Sequence, residues 1–127
     1  KSFYATGISM IFHPRNPHAP TFHANVRYFE TDSGASWLGG GYDLTPYYLY
    51  EEDARAFHAG LRAVSARHPV ADHAAWKAWC DRYFMNVHRG EARGVGGVFF
   101  DHQRGDLPAL LAYQEALGRA IPDLYLS

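Results

Sequence analysis

The sequence has little cysteine and no long apolar run. Its one cysteine, Cys80, cannot form a disulfide within the chain, and without a cysteine cluster there is no thiolate zinc site, so we expect a reducing compartment. The simplest interpretation of Cys80 is a buried thiol. The chain shows neither a bilayer-spanning segment nor a signal-peptide pattern, which predicts a cytoplasmic protein without stable membrane insertion.

Charge of either sign is not in excess. Twelve basic residues against thirteen acidic ones leave a formal net charge of -1. A chain with this balance has no overall positive field, so we expect no nucleic-acid partner and no anionic membrane surface. Any anionic ligand must be held by a local group of residues.

The length and the apolar content suit one domain. The 127 residues are 47% hydrophobic and 16% aromatic, which is enough for a packed core. We interpret residues 1–127 as a single domain. Because the chain starts at Lys1 in an already strand-like segment, we expect it to be an incomplete portion of a larger domain.

The hydrophobic periodicity predicts strands first and helices later. Strands are expected over Phe3 to Phe12 and Thr21 to Glu30, with a third from Trp37 that ends at Pro46 and a fourth within "GVGGVFFD". Helices are expected from Glu51 to before Pro69, from Asp72 to near Gly90, and from Asp106 onward. The order predicts an α+β fold, a largely antiparallel sheet covered by α-helices.

The strand "TFHANVRYFE" has two unlike faces. With period two, Phe22, Ala24, Val26 and Tyr28 fall on one side, while His23, Asn25 and Arg27 fall on the other. The first side is typical of a core. The second offers more hydrogen-bond donors than a solvated strand face needs, which indicates a binding surface.

Histidine occurs eight times, and four of these residues stand out. His13 and His23 bracket a proline-rich loop between two strands, His58 borders an apolar helical stripe, and His88 is expected at the end of the second helix. Imidazole is a common metal ligand. None of these pairs has the i, i+4 spacing of a dedicated site, so core histidines, metal ligands and substrate-binding rings all stay open.

Asp43 follows three glycines, Gly39 to Gly41, which would let a bulky ligand approach the backbone. A carboxylate there could meet a flat ligand that carries nitrogen. The alternative is a β-bulge with Asp43 accepting turn hydrogen bonds. Carboxylate-binding candidates are Arg15, Arg27, Arg89 and Arg93, although Arg93 could instead pair with Glu91.

Four segments then carry a resemblance to a known family. "FHPRNPHAPTFHANVRYFE", "WLGGGYDLTPYYLYEEDARAFH", "KAWCDRYF" and "HRGEARGVGGVFFD" strongly resemble blocks of oxygen-dependent coproporphyrinogen III oxidase. The match covers nearly the whole chain. It implies a flat antiparallel sheet between helices, usually in a homodimer, and the oxidative decarboxylation of two propionates of coproporphyrinogen III to vinyl groups, giving protoporphyrinogen IX in haem biosynthesis.

The resemblance also implies roles for particular residues. Substrate would be bound by Ser9, Asn25, Val26 and Arg27, with His23, Asp43 and Arg27 catalytic. His23 would be the proton donor, and Asp43 would hold the pyrrole nitrogens. His13, His23, His58 and His88 match positions assigned to a divalent metal, manganese or a similar ion. Molecular oxygen would be the co-substrate, and no organic cofactor is implied.

Two other functions compete with this interpretation. The four histidines could be primarily ligands of a metal oxygenase, in which case chelation would abolish activity. Alternatively, the chain could be a non-catalytic tetrapyrrole-binding module, which would bind without consuming oxygen.

Overall fold

A computed structural model describes residues 1–126 of the chain. The strands are β1 (Phe3–Phe12), β2 (Thr21–Thr31), β3 (Ser36–Thr45), β4 (Met85–Asn86), β5 (Glu91–Ala92) and β6 (Gly96–Gln103). The helices are α1 (Glu51–Ala66), α2 (His73–Tyr83) and α3 (Leu107–Leu126). Among residues 1–126 no helix has the length and apolarity that a membrane span needs.

The main sheet is antiparallel throughout, with the strand order β1-β2-β3-β6. β4 and β5 form a separate short hairpin between α2 and β6. The predicted α+β class with its largely antiparallel sheet is therefore confirmed.

One face of the sheet is the hydrophobic core. On β2 this face begins with Phe22 and Ala24, whose partners on β3 are Leu44 and Tyr42. Helix α1 adds its buried stripe of Phe57, Leu61 and Val64. Helix α3 adds Leu110, Tyr113, Leu117 and Leu124. The two-residue alternation in the sequence therefore predicted the apolar face of β2 correctly. Burial of this face against the helices stabilises their packing on the sheet.

The predicted helix starts at Asp72 and Asp106 are also confirmed. The Asp72 carboxylate accepts a hydrogen bond from the Ala75 amide at 2.9 Å, and Asp106 accepts one from the Ala109 amide at 3.0 Å. Each side chain satisfies an amide that the first helical turn leaves without a partner.

The second helix is shorter than predicted. It ends at Tyr83 rather than near Gly90, and the chain then turns into the β4–β5 hairpin. Val87 and His88 are consequently exposed in the turn of this hairpin, not on a helix beside the sheet. The helical spacing of apolar residues up to Phe84 predicted a longer helix. Phe84 instead lies just after the end of α2 and packs edge-on against Phe99 of β6.

Candidate active site

The second face of the main sheet carries polar side chains over a floor of glycines. On β2 it presents His23, Asn25 and Arg27, and the residues opposite them on β3 are Asp43, Gly41 and Gly39. We call this surface the polar face. Glycines opposite Asn25 and Arg27 leave the backbone of β3 accessible, so a flat molecule could lie close to the sheet.

Asp43 is the buried charge of the polar face, with 3% of its surface exposed. Its Oδ2 accepts a hydrogen bond from Nη2 of Arg93 at 2.5 Å. The Arg93 guanidinium also lies over the ring of Phe84, 3.7 Å from its centroid. A buried carboxylate needs such a partner, because an uncompensated charge away from water is costly.

His23 approaches the same oxygen, Oδ2 of Asp43, with its Nδ1 at 3.4 Å. That nitrogen is buried and is not within hydrogen-bonding geometry of any residue in 1–126. Burial lowers the pKa of His23 below its ordinary value of 6.5; Asp43 opposes this effect, while Arg93 and His13 reinforce it. The lowered pKa favours the neutral imidazole at pH 7.

Asn25 and Ser9 are cross-strand partners in the middle of the sheet. Ser9 is exposed on the outer strand, and Oδ1 of Asn25 is buried with no hydrogen-bond donor within the described part of the chain. A buried amide oxygen without a donor is uncommon in folded proteins. Within the described residues Asn25 thus keeps an amide oxygen without a partner on this side of the sheet.

Arg27 lies between two glycines, Gly7 on β1 and Gly39 on β3. Its Nη2 is 3.6 Å from Oδ2 of Asp101 on β6. A groove of about 450 Å³ opens beside it; the groove is lined by Ala5, Gly7, Arg27, Phe29, Trp37, Gly39 and Asp101, among others. The groove offers a guanidinium to an anionic group and aromatic walls to an apolar one.

Val26 does not share this surface. Its side chain lies on the core side of the sheet, where it lines an apolar groove with Ile8, Met10 and Ile121. A ligand on the polar face could not contact that side chain, although Asn25 and Arg27 on either side of Val26 both face it.

The four histidines expected to bind metal do not converge within residues 1–126, which hold no group of three or more histidine, cysteine or acidic side chains suited to a metal ion. His13 is exposed at the end of β1 and near His23, whereas His88 is in the exposed hairpin turn. His58 is hydrogen-bonded through Nε2 to the carbonyl of Val95 at 2.8 Å and neighbours His73. Within residues 1–126 this donor set does not by itself fit a metal ion, and the metal assignment stays a prediction.

Sequence reasoning missed two partners in this site. Arg93 was expected either to bind a ligand carboxylate or to pair with Glu91; in the structure Glu91 pairs with Arg89 at 3.0 Å, and Arg93 pairs with Asp43. Asp101 was not singled out at all. No local pattern links residues 50 positions apart, but the glycine-rich run before Asp43 and the one before Asp101 pair as adjacent strands. Pairing these two runs would have suggested both contacts.

The fold and the site together define a class of α+β protein with a polar, glycine-floored face built on an antiparallel sheet. A family model described as coproporphyrinogen III oxidase matches residues 1–127, the whole chain. The chain therefore belongs to the coproporphyrinogen III oxidase family, oxidoreductases of haem biosynthesis whose substrate is coproporphyrinogen III.

Proposed function

We propose that this protein carries out the oxygen-dependent oxidative decarboxylation of two propionates of coproporphyrinogen III to vinyl groups, giving protoporphyrinogen IX. The observation that supports this most directly is the row of His23, Asn25 and Arg27 across from Asp43 and the glycine floor. A tetrapyrrole with carboxylate side chains requires these features together: open backbone beside its ring, a guanidinium for a propionate, and a carboxylate for its pyrrole N–H groups.

The chemistry balances for each side chain. A propionic acid group, –CH2–CH2–COOH, reacts with O2 to give –CH=CH2, CO2 and H2O2. The bond between the α-carbon and the carboxyl carbon breaks, one hydrogen leaves the β-carbon, and the carbon–carbon double bond forms. Two electrons pass to oxygen, which takes up two protons, one from the β-carbon and one from the acid.

Asp43 and Arg27 have separate tasks in this proposal. Asp43 accepts hydrogen bonds from pyrrole N–H groups and stabilises positive charge as electrons leave the ring, a role that suits a preorganised, buried carboxylate. Arg27 binds a propionate through its fork of N–H donors and keeps the side chain in place for the loss of its carboxyl group. Asn25 and Ser9 complete the row as hydrogen-bonding groups.

His23 moves protons. Because its pKa is lowered by burial, the neutral ring can first accept the proton that the β-carbon loses and then donate it to reduced oxygen. The donor role that the family resemblance implies is thus the second half of a transfer. A homodimer and a cytoplasmic location stay predictions.

The test is a reaction started by oxygen. The purified protein is mixed anaerobically with coproporphyrinogen III, oxygen is admitted, and products are separated by chromatography while CO2 is counted. We expect no product before oxygen and two CO2 per protoporphyrinogen afterwards. Product formed under anaerobic conditions with another electron acceptor would refute the oxygen dependence, and binding without turnover would favour a tetrapyrrole-binding module.

Asp43→Asn gives the residue-level test, because asparagine keeps the shape and removes the charge. We expect turnover to fall by about a hundredfold or more, as for the loss of a preorganised electrostatic group, with the circular dichroism spectrum unchanged. Glu91→Gln, which removes an exposed carboxylate that pairs with Arg89, is the matched control. Near-normal turnover of Asp43→Asn would refute the role of Asp43.

A further inference from the structure

Strand β6 is irregular where it passes Gly39. The register of β3 with β6 shifts between Leu38 and Gly40, so that Asp101 and His102 stand against the single residue Gly39. His102 has a positive φ of 50°, the one non-glycine residue in the described part of the chain with this conformation. Such a conformation is costly for a residue with a side chain, and β-bulges of this kind redirect side chains beside functional sites.

The bulge is supported by contacts on both strands. The Asp101 carboxylate accepts a hydrogen bond at Oδ1 from the His102 amide at 2.8 Å, and the Asp101 carbonyl accepts one from Nε2 of Gln103 at 2.8 Å. Across the sheet, the Gly39 carbonyl accepts a hydrogen bond at 2.7 Å from Nε2 of Gln114, a buried side chain of α3. The irregularity is therefore held by three separate hydrogen bonds, and the Asp101 carboxylate is fixed in direction.

Gly39 leaves the space in which Asp101 meets Arg27. A Cβ atom at position 39 would lie 2.5 Å from Oδ1 of Asp101 and 3.2 Å from Nη2 of Arg27. The first distance is well inside van der Waals contact. Any larger residue at this position would have to push the carboxylate and the guanidinium apart.

We propose that Asp101 is a positioning residue for Arg27, which it aims along the groove so that the guanidinium receives a propionate. This inference rests on the proposed function, in which Arg27 binds that propionate. Asp101 approaches Nη2 only, and within residues 1–126 no other carboxylate contacts Arg27. The donors on Nε and Nη1 are left for the ligand, while rotation of the long arginine side chain is restrained.

In this proposal the negative charge of Asp101 is what positions the Arg27 guanidinium. Asn in place of Asp101 keeps an oxygen that can accept from the His102 amide, so the bulge survives and only the attraction to Arg27 is lost. Because both groups are partly exposed, we expect a moderate change, with KM for coproporphyrinogen III raised about fivefold in Asp101→Asn and kcat within twofold of the wild type. A loss confined to KM indicates weaker binding without damage to the chemical step.

A double-mutant cycle tests the coupling directly. The variants Arg27→Gln, Asp101→Asn and the double variant are made. KM and kcat are measured, and the Kd of coproporphyrin III, the oxidised ring, is measured by fluorescence. If Asp101 acts through Arg27, Asp101→Asn should have no further effect once Arg27 is replaced. A full fivefold effect in the Arg27→Gln background would overturn the proposal.

Two further variants separate positioning from general damage. Gly39→Ala should raise KM and Kd at least as much as Asp101→Asn, because its Cβ would crowd both the Asp101 carboxylate and Nη2 of Arg27. Glu115→Gln, which breaks an exposed ion pair with Arg119 on α3, is the matched charge control and should change nothing. A parallel fall of kcat and melting temperature in Asp101→Asn would assign Asp101 a structural role and overturn the proposal. Failure of the wild-type protein to turn over substrate would instead refute the proposed function.

Discussion

Arg93 donates a hydrogen bond to the buried carboxylate of Asp43 at 2.5 Å, although the two residues lie 50 positions apart in the chain. Arg93 follows the β4–β5 hairpin, and its own amide donates to the Phe84 carbonyl at 3.1 Å. The hairpin therefore brings a positive charge to the end of β3. As His23 meets the same oxygen of Asp43, the protonation of that histidine depends on both charges.

The first prediction is that the two neighbours of His23 shift its pKa in opposite directions when they are removed. Arg93 lowers the pKa of His23 and Asp43 raises it, both in addition to the larger effect of burial. Arg93→Gln should consequently raise the pKa of His23, and Asp43→Asn should lower it further below 6.5. The measurement is an NMR titration of the His23 ring protons.

Arg89→Gln is the control for this titration, because Arg89 is an exposed arginine in the turn of the same hairpin and pairs with Glu91. It should leave the His23 curve in place. Shifts of the same sign in Arg93→Gln and Asp43→Asn would show that burial or a structural change, rather than charge, sets the pKa.

How far could the sequence predict this site? Alternation along β2 was sufficient to place His23, Asn25 and Arg27 on one face, because strand geometry fixes that relation locally. The partners of those residues depend on which strands pair and in which register. The bulge at Asp101, the early end of α2 at Tyr83 and the exposed position of His88 all follow from tertiary packing, which local periodicity does not encode.

The second prediction concerns stability at mildly acidic pH. Burial lowers the folded-state pKa of both His23 and His73 below 6.5, so the unfolded chain binds more protons in this range. The contribution of these neutral rings is fully present above pH 6.5 and is lost as the pH falls from there through the lowered folded values. Urea denaturation at several pH values between 7.5 and 5 should show a falling free energy of unfolding.

Single variants identify the source of that slope. His23→Gln and His73→Gln should each make the dependence on pH shallower, whereas His88→Gln, in the exposed hairpin turn, controls for the loss of an imidazole. If the His23 and His73 variants both keep the wild-type slope, other groups cause the acid sensitivity.

The third prediction is that Cys80 is chemically inert in the folded protein. The residue is fully buried, and burial raises the pKa of its thiol to about 12. Because the thiolate is the reactive form, iodoacetamide at pH 8 should not label the native protein and should label one thiol per chain in guanidinium chloride. Rapid labelling of the native protein would show that α2 detaches from the core.

The fourth prediction compares two helical glycines. A Cβ at Gly118 on α3 would meet only the Tyr42 hydroxyl at 4.0 Å. Gly118→Ala should therefore stabilise the protein by about 0.5–1 kcal/mol, because alanine lowers the backbone entropy of the unfolded chain. A Cβ at Gly60 on α1 would lie 2.5 Å from Cδ2 of Leu124, which is buried. Gly60→Ala should therefore be the less stable variant in thermal unfolding, because overpacking opposes the same entropic gain. The reverse order would mean that α3 moves away from α1 at little cost.

The last prediction addresses the two possible roles of His58. Its Nε2 is hydrogen-bonded to the Val95 carbonyl, and the Val95 amide in turn donates a hydrogen bond to the Leu44 carbonyl at 3.0 Å. His58 therefore ties α1 to the segment that joins Arg93 to β6, next to Asp43. Its other nitrogen, Nδ1, is buried and makes no hydrogen bond with any described residue, which is also the arrangement of a histidine that binds metal while its second nitrogen is oriented by a carbonyl.

Glutamine separates these roles, since its amide nitrogen can replace Nε2 while nothing replaces Nδ1. We expect His58→Gln to retain activity within a few-fold and to bind as much metal as the wild type, measured by elemental analysis of the purified protein. His58→Ala should lower the free energy of unfolding by about 1–3 kcal/mol, because it leaves the Val95 carbonyl without its partner. Loss of metal and of activity in a stably folded His58→Gln would instead make Nδ1 a ligand, and the remaining ligands would then have to come from outside the described residues.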